Sequence, residues 1–222
     1  VKQVITMALQ FRIIPVTAFV QNCSLVWCDE TKEAALVDPG GEPEKLLAAV
    51  EEEGVTLTKV LLTHGHLDHA GGTEAIRQTA KVPVEGPAEP DSFWLNQIEA
   101  QAQMFGFPPA DNIEPDQWLT GEESVTLGKL KFQVIFTPGH TPGHVVFFEP
   151  NSKLAFVGDV LFQGSIGRTD FPMGIHQQLI DSITQKLWPL GDDVRFVPGH
   201  GPMSTFGDER RSNPFVADTN FG

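Results

Sequence analysis

The sequence predicts an α/β fold in which two stacked β-sheets carry helices on their outer faces, and three observations support this. Short apolar runs and helical patterns follow one another in the order strands, helices, strands, helices. Four of the apolar runs end in a Gly-, Pro- or Thr-containing turn that presents a His or an Asp. A length of 222 residues with 41% hydrophobic composition suffices for one sizeable core. One domain over residues 1–222 is expected, with residues 1–6 an upstream extension before Met7 and no separate carboxy-terminal helical domain.

Each element has its own signal. Phe11 to Phe19, Ser24 to Cys28 and Ala34 to Val37 are apolar segments between polar turns, an antiparallel meander closed by Asp38-Pro39-Gly40-Gly41. Pro43 suits the first turn of a helix, Leu46, Leu47 and Val50 form its apolar face, and Gly54 suits its end. A strand follows from Leu57 to Leu62. A helix beginning near Asp68 should run on through Thr73 to Thr79, and Val82-Pro83-Val84 returns as a short strand. Residues 88–109 contain Phe93, Trp94, Leu95, Ile98, Met104, Phe105 and Phe107. Core packing is the first reading of this stretch, and walling of a substrate entrance by some of its aromatics is the second. Strands are then expected over Val125 to Leu127, Leu130 to Phe136, His144 to Phe148 and Leu154 to Val157. A helix over Gln178 to Leu187 and a strand over Val194 to Val197 complete the pattern.

Composition excludes some functions. Acidic residues outnumber basic ones 29 to 15, giving a net charge of -14, so polyanions are repelled and nucleic acid is not an expected partner. No apolar stretch approaches the roughly 18 to 20 residues that span a bilayer, and no signal peptide is evident, so the expectation is a cytoplasmic protein without membrane contact. Cys23 and Cys28 are the only cysteines; their odd separation in a strand sends them to opposite faces as reduced, structural thiols.

The densest chemistry lies in Thr63-His64-Gly65-His66-Leu67-Asp68-His69, directly after Val60, Leu61 and Leu62. Imidazoles and a carboxylate packed this closely repel one another or go unsatisfied when buried, unless a cation holds them. Three later runs end in the same way, at Thr137-Pro138-Gly139-His140, Gly158-Asp159 and Pro198-Gly199-His200. Strands ending at one rim can aim these groups at a single point, with Pro and Gly setting the turns. The candidate ligands are therefore His64, His66, Asp68, His69, His140, Asp159 and His200, enough for two divalent metal ions. Imidazole with carboxylate suits zinc, iron or manganese, with zinc first. His144 is expected to support the ligands or simply to pack, and His176, at a helix start, to be solvated.

In this order and spacing, the seven residues resemble the metallo-β-lactamase superfamily over essentially the whole chain. The resemblance implies a four-layered αβ/βα sandwich with a dinuclear site at one edge between the sheets. It implies that His64, His66 and His140 hold one metal, that Asp68, His69 and His200 hold the other, and that Asp159 bridges them. An aspartate at 159 disfavours the zinc lactamases that place a cysteine there. It points to the hydroxyacylglutathione hydrolase, or glyoxalase II, branch, which Thr137 to His144 and Asn22 to Gly41 also resemble. With no tyrosine in the sequence and no such carboxy-terminal helical domain expected, the chain is closer to the compact bacterial YcbL-like type, with which it shares Gly167 to Pro172 and Pro198 to Pro202. By this resemblance Arg168 is the candidate contact for a substrate carboxylate, and Asp170 a candidate to orient a ligand histidine.

The implied activity is hydrolysis of S-D-lactoylglutathione to D-lactate and glutathione by a hydroxide bridging two metals, with Asp68 orienting it. The alternative is an iron-dependent glutathione persulfide dioxygenase, which uses one iron at residues matching His64, His140 and Asp159. Metal-dependent nucleases and a non-catalytic metal-binding module are weaker readings. The oligomeric state is not specified.

Overall fold

The computed structural model describes residues 9–220, so the expected extension over residues 1–6 lies outside the described part. The first sheet has the order β1 (Leu9–Val16), β2 (Gln21–Cys28), β3 (Glu33–Val37), β4 (Thr56–Leu61), β5 (Val84–Glu85). Its first three strands are the expected antiparallel meander, and β4 and β5 add in parallel. Helices α1 (Pro43–Glu52), α2 (Leu67–Ala70), α3 (Thr73–Ala80), α4 (Ser92–Leu95) and α5 (Ile98–Phe105) belong to this half. The second half supplies β6 (Ser124–Leu127), β7 (Leu130–Phe136), β8 (Val145–Glu149), β9 (Leu154–Gly158), the hairpin β10 (Leu161–Phe162) and β11 (Ser165–Ile166), then α6 (His176–Asp181), β12 (Arg195–Pro198), β13 (Ser204–Thr205) and α7 (Phe206–Ser212). The six-stranded sheet runs β13-β12-β9-β8-β7-β6.

Strand alternation produces the four layers, because successive side chains leave a strand on opposite faces. In β3, Ala34 and Leu36 face the core shared with Leu46, Val50 and Ile76, whereas Ala35 and Val37 face the core between the sheets. In β8, Val145 and Phe147 enter that central core, and Val146 and Phe148 pack with Leu179, Ile183 and Phe206 on the outer side. Three apolar cores thus separate helix, sheet, sheet and helix. Cys23 joins the first core and Cys28 the central one, both as buried free thiols, on opposite faces as their spacing predicted.

Three of the boundaries that differ from the sequence reading have a visible backbone cause. Strand β1 stops at Val16, and Phe19 sits in an exposed turn, because Thr17 and Val20 take left-handed backbone angles that end the ladder. The helix expected to run from Asp68 to Thr79 is broken at Gly71-Gly72, where Gly72 N–H donates to the Pro39 carbonyl at 2.8 Å. Pairing of β5 begins at Val84 rather than Val82, and Pro83 contributes only its carbonyl, which accepts from Val60 N–H at 2.9 Å. Among the described residues no helix is long and apolar enough to cross a membrane.

Candidate metal centre

Four strand ends meet at one edge of the two sheets. The segment after β4 carries His64, His66, Asp68 and His69; the turn after β7 carries His140; Asp159 follows β9; and His200 follows β12. Donor atoms of His64, His66 and His140 lie within 4.8 Å of one another, and so do those of Asp68, His69 and His200. Asp159 stands between the two sets: one carboxylate oxygen is 3.2 Å from His69 Nε2, and the other is 3.7 Å from His140 Nε2 and 3.8 Å from His200 Nε2. All seven predicted ligand residues are therefore brought together.

Hydrogen bonding behind the histidines determines which nitrogen is free. The Thr63 hydroxyl donates its one proton to Asp38 Oδ2 at 2.6 Å, so toward His64 Nδ1, at 3.0 Å, it can only accept. The proton of His64 then sits on Nδ1, and Nε2 keeps a lone pair. His69 Nδ1 donates to Asp38 Oδ2 at 2.9 Å, His140 Nδ1 to the Arg168 carbonyl at 2.7 Å, and His200 Nδ1 to the Phe19 carbonyl at 3.2 Å. Each leaves Nε2 turned inward. His140 Nε2 faces His66 Nδ1 at 3.0 Å, a close approach of two basic nitrogens that a shared cation relieves.

The site passes a test of fit for metal. Nε2 of His64 and His69 and Oδ1 of Asp159 are buried without a hydrogen-bond partner, a cost that coordination would remove. Burial first, and then the neighbouring imidazoles of His69 and His144, hold His64 well below its ordinary value, so it is a neutral donor. Burial works against a charge on His69, yet Asp159 and Asp68 together hold its imidazole well above its ordinary value; this spot calls for positive charge. Burial likewise opposes ionisation of Asp159, but the facing His69 outweighs it and keeps the carboxyl far below the usual range. Gly199 leaves room for this packing, since a Cβ there would run into the Asp159 carboxylate and the His69 ring.

Sequence reasoning missed two supporting carboxylates. Asp38, at the end of β3, takes Thr63 N–H at 2.7 Å as well as the Thr63 hydroxyl and His69, so its oxygens are committed behind the site. A strand-end Asp before Pro-Gly-Gly was the available signal, with the same placement as the ligands. Asp91 is fully buried and accepts from Gly65 N–H at 2.8 Å, the Thr141 hydroxyl at 2.8 Å and Gly143 N–H at 2.5 Å. It ties the loop of His64 and His66 to the loop of His140.

The remaining predicted residues take distinct places. His144 lies behind the ligands: its Nε2 accepts from Asp159 N–H at 3.2 Å, and its ring stacks on His64 at 4.8 Å. Asp170 does not orient a histidine, the expectation made for it; its carboxylate grips Arg168 through two 2.7 Å bonds, and the partner of His140 is the Arg168 carbonyl instead. The Arg168 guanidinium also covers the Phe171 ring at 4.2 Å. It lies on a cavity of about 630 Å³ over the metal centre, with Phe19, Phe93, Trp94, Met104 and Phe105 among the walls. Residues 88–109 therefore divide between both readings, since Leu95 and Ile98 are core while Phe93, Met104 and Phe105 are exposed around the cavity. His176 is exposed at the start of α6, as expected.

A mixed α/β sandwich with this histidine and aspartate array defines a class: the chain belongs to the metallo-beta-lactamase superfamily, whose sequence pattern matches residues 16–200. It is 51% identical over 209 residues to the hydroxyacylglutathione hydrolase GloC of Haemophilus influenzae, covering 94% of this chain and 98% of that one. Among solved structures it is similar to the B3 metallo-beta-lactamase BLEG-1, with a TM-score of 0.86, 38% identity, and coverage of 93% of this chain and 99% of that one. It is also similar to TTHA1623 in a di-iron-bound form, with a TM-score of 0.84, 35% identity, and coverage of 92% and 100%.

Proposed function

We propose that this protein is a metal-dependent thioester hydrolase acting on hydroxyacylglutathione, with S-D-lactoylglutathione the reference substrate and D-lactate and glutathione the products. The observation that carries the reading is the pair of donor triads linked by Asp159, with Nε2 of His64, His69, His140 and His200 turned inward. His64, His66 and His140 would hold one divalent ion, Asp68, His69 and His200 the second, and Asp159 both. Zinc is the first candidate, and iron is supported by the relative that is bound to two irons. Such ions supply Lewis acidity and lower the pKa of a coordinated water from 15.7 to about 7.

The chain's own groups do the rest. Asp68 Oδ2, 3.1 Å from His200 Nε2, is held at the cavity floor where it can orient the nucleophile and take its proton. Trp94 and Phe171 pack edge-on against His66 and limit water at the ligand rings. Arg168 offers the remaining face of its guanidinium to a substrate carboxylate at the rim. The buried thiols Cys23 and Cys28, held in separate cores, suit a reducing cytoplasm.

A persulfide dioxygenase of the single-iron kind needs only residues 64, 140 and 159, and gives no role to the equally assembled Asp68, His69 and His200. The test compares the metal-loaded protein on S-D-lactoylglutathione, on glutathione persulfide in an oxygen electrode, and on a β-lactam. Thioester cleavage without oxygen uptake, and with the lactam intact or cleaved far more slowly, is expected. Oxygen uptake with no thioester cleavage would overturn the assignment.

A further inference from the structure

We propose that the site favours thioesters with a bulky apolar acyl group over the small lactoyl group, a refinement that rests on the thioester reading above. The cavity over the metal centre measures about 630 Å³, and above the polar groups of its floor much of its wall is apolar. Phe19 is 47% exposed, Phe93 40%, Met104 78% and Phe105 50%, and all four line this one cavity. Phe19 and Phe105 meet edge to face at 6.1 Å, so two distant segments close one wall. Large apolar side chains gathered around a concave site gain by being covered, and a ligand group of matching character is what covers them.

Charge assigns the two halves of the substrate. Glutathione carries two carboxylates and an ammonium, and needs polar partners. Among the described residues lining the cavity, Arg168 is the one arginine or lysine, and two of its nitrogens already bond Asp170. The thiol half is therefore held at the Arg168 side of the rim. The apolar surface of Phe93, Met104 and Phe105 is left for the acyl half; the amide of Gln97, which lines the same cavity, is engaged with the Phe93 carbonyl at 2.8 Å.

Two substrates that differ only there provide the test: S-D-lactoylglutathione carries a methyl where S-D-mandeloylglutathione carries a phenyl on the same hydroxyacyl thioester. With metal-loaded protein, kcat/KM for the mandeloyl substrate is expected to exceed that for the lactoyl substrate about tenfold. Because the two thioesters differ in intrinsic reactivity, the ratio is also measured in Phe93→Ala and Phe105→Ala, whose exposed side chains can be removed without opening a core. It should fall at least threefold in each. A lactoyl preference in the parent protein, or a ratio unchanged in both variants, would overturn the proposal while leaving thioester hydrolysis intact. Failure to cleave either substrate would instead remove the thioester reading and this one together.

Discussion

The floor and the rim of the cavity are built on different principles. On the floor, His64, His69, His140 and His200 each have Nδ1 bound by a fixed partner, and Asp38 and Asp91 hold the loops that carry them. At the rim, Phe19, Phe93, Met104 and Phe105 stand exposed, and Arg168, the one arginine or lysine among the described residues there, is already paired to Asp170. The difference teaches that the donor groups are held by redundant polar contacts, whereas the rim presents apolar surface that no such contact ties to them.

The largest break in that contrast comes from the floor. Replacing Asp159 with Ala removes the group that lies between the two triads, and kcat for thioester cleavage should fall on the order of a thousandfold or more. A variant retaining a tenth of the activity in a stopped assay would contradict its linking role.

The next effect is on stability and has a definite sign. Burial raises the Asp91 carboxyl from its ordinary 3.8 to about 6, against the bonds from Thr141, Gly143 and Gly65 that favour the anion. The native state thus holds that proton more tightly than the unfolded chain. The stability from this group is full below pH 4 and is lost as pH rises through 6, a change of about 3 kcal/mol. In urea unfolding, the parent protein should lose about this much relative to Asp91→Asn between pH 4 and pH 7; a difference that stays flat or rises would refute the buried-carboxylate account.

Asp38→Asn should be milder, since the side chain keeps its shape but has one acceptor oxygen instead of two, so either Thr63 N–H or the Thr63 hydroxyl and His69 lose their acceptor. Metal affinity measured by competition with a chelator should fall about 10- to 100-fold, the usual consequence of removing a group behind a ligand. An unchanged affinity would make Asp38 a turn residue only.

The smallest effects belong to the rim's ion pair. Asp170→Asn frees the Arg168 guanidinium and should lower KM for a glutathione thioester about twofold, and Arg168→Met should raise it by a similar factor, as expected for exposed charges. If Asp170→Asn raised KM instead, Asp170 would be the substrate contact.

The same contrast explains what the sequence made legible. The ligands sit in contiguous patterns at the ends of apolar runs, so the type and spacing of His64 to His69, His140, Asp159 and His200 disclose the floor without a fold. Two stacked sheets with helices outside were equally readable from the order of strands and helices, and the unbroken apolar run Ala34 to Val37 fits a strand buried on both faces. Asp91 was not, since its partners Gly65 and Thr141 lie 26 and 50 residues away and meet it only after folding. Nor could composition separate Phe93, Met104 and Phe105 from Leu95 and Ile98, because exposure around a cavity and burial in a core use the same residue types at the same helical spacing. Gly71 and Gly72 interrupted a helix through a long-range approach to Pro39, again a contact that the local pattern does not carry.

The central claim is that the floor is a two-ion hydrolytic centre, and returning metal to depleted protein tests it most directly. With S-D-lactoylglutathione cleavage followed as zinc is added in steps, activity should be negligible without metal and reach its plateau at two ions per chain. Full activity at one equivalent, or cleavage that persists in the depleted protein, would contradict it.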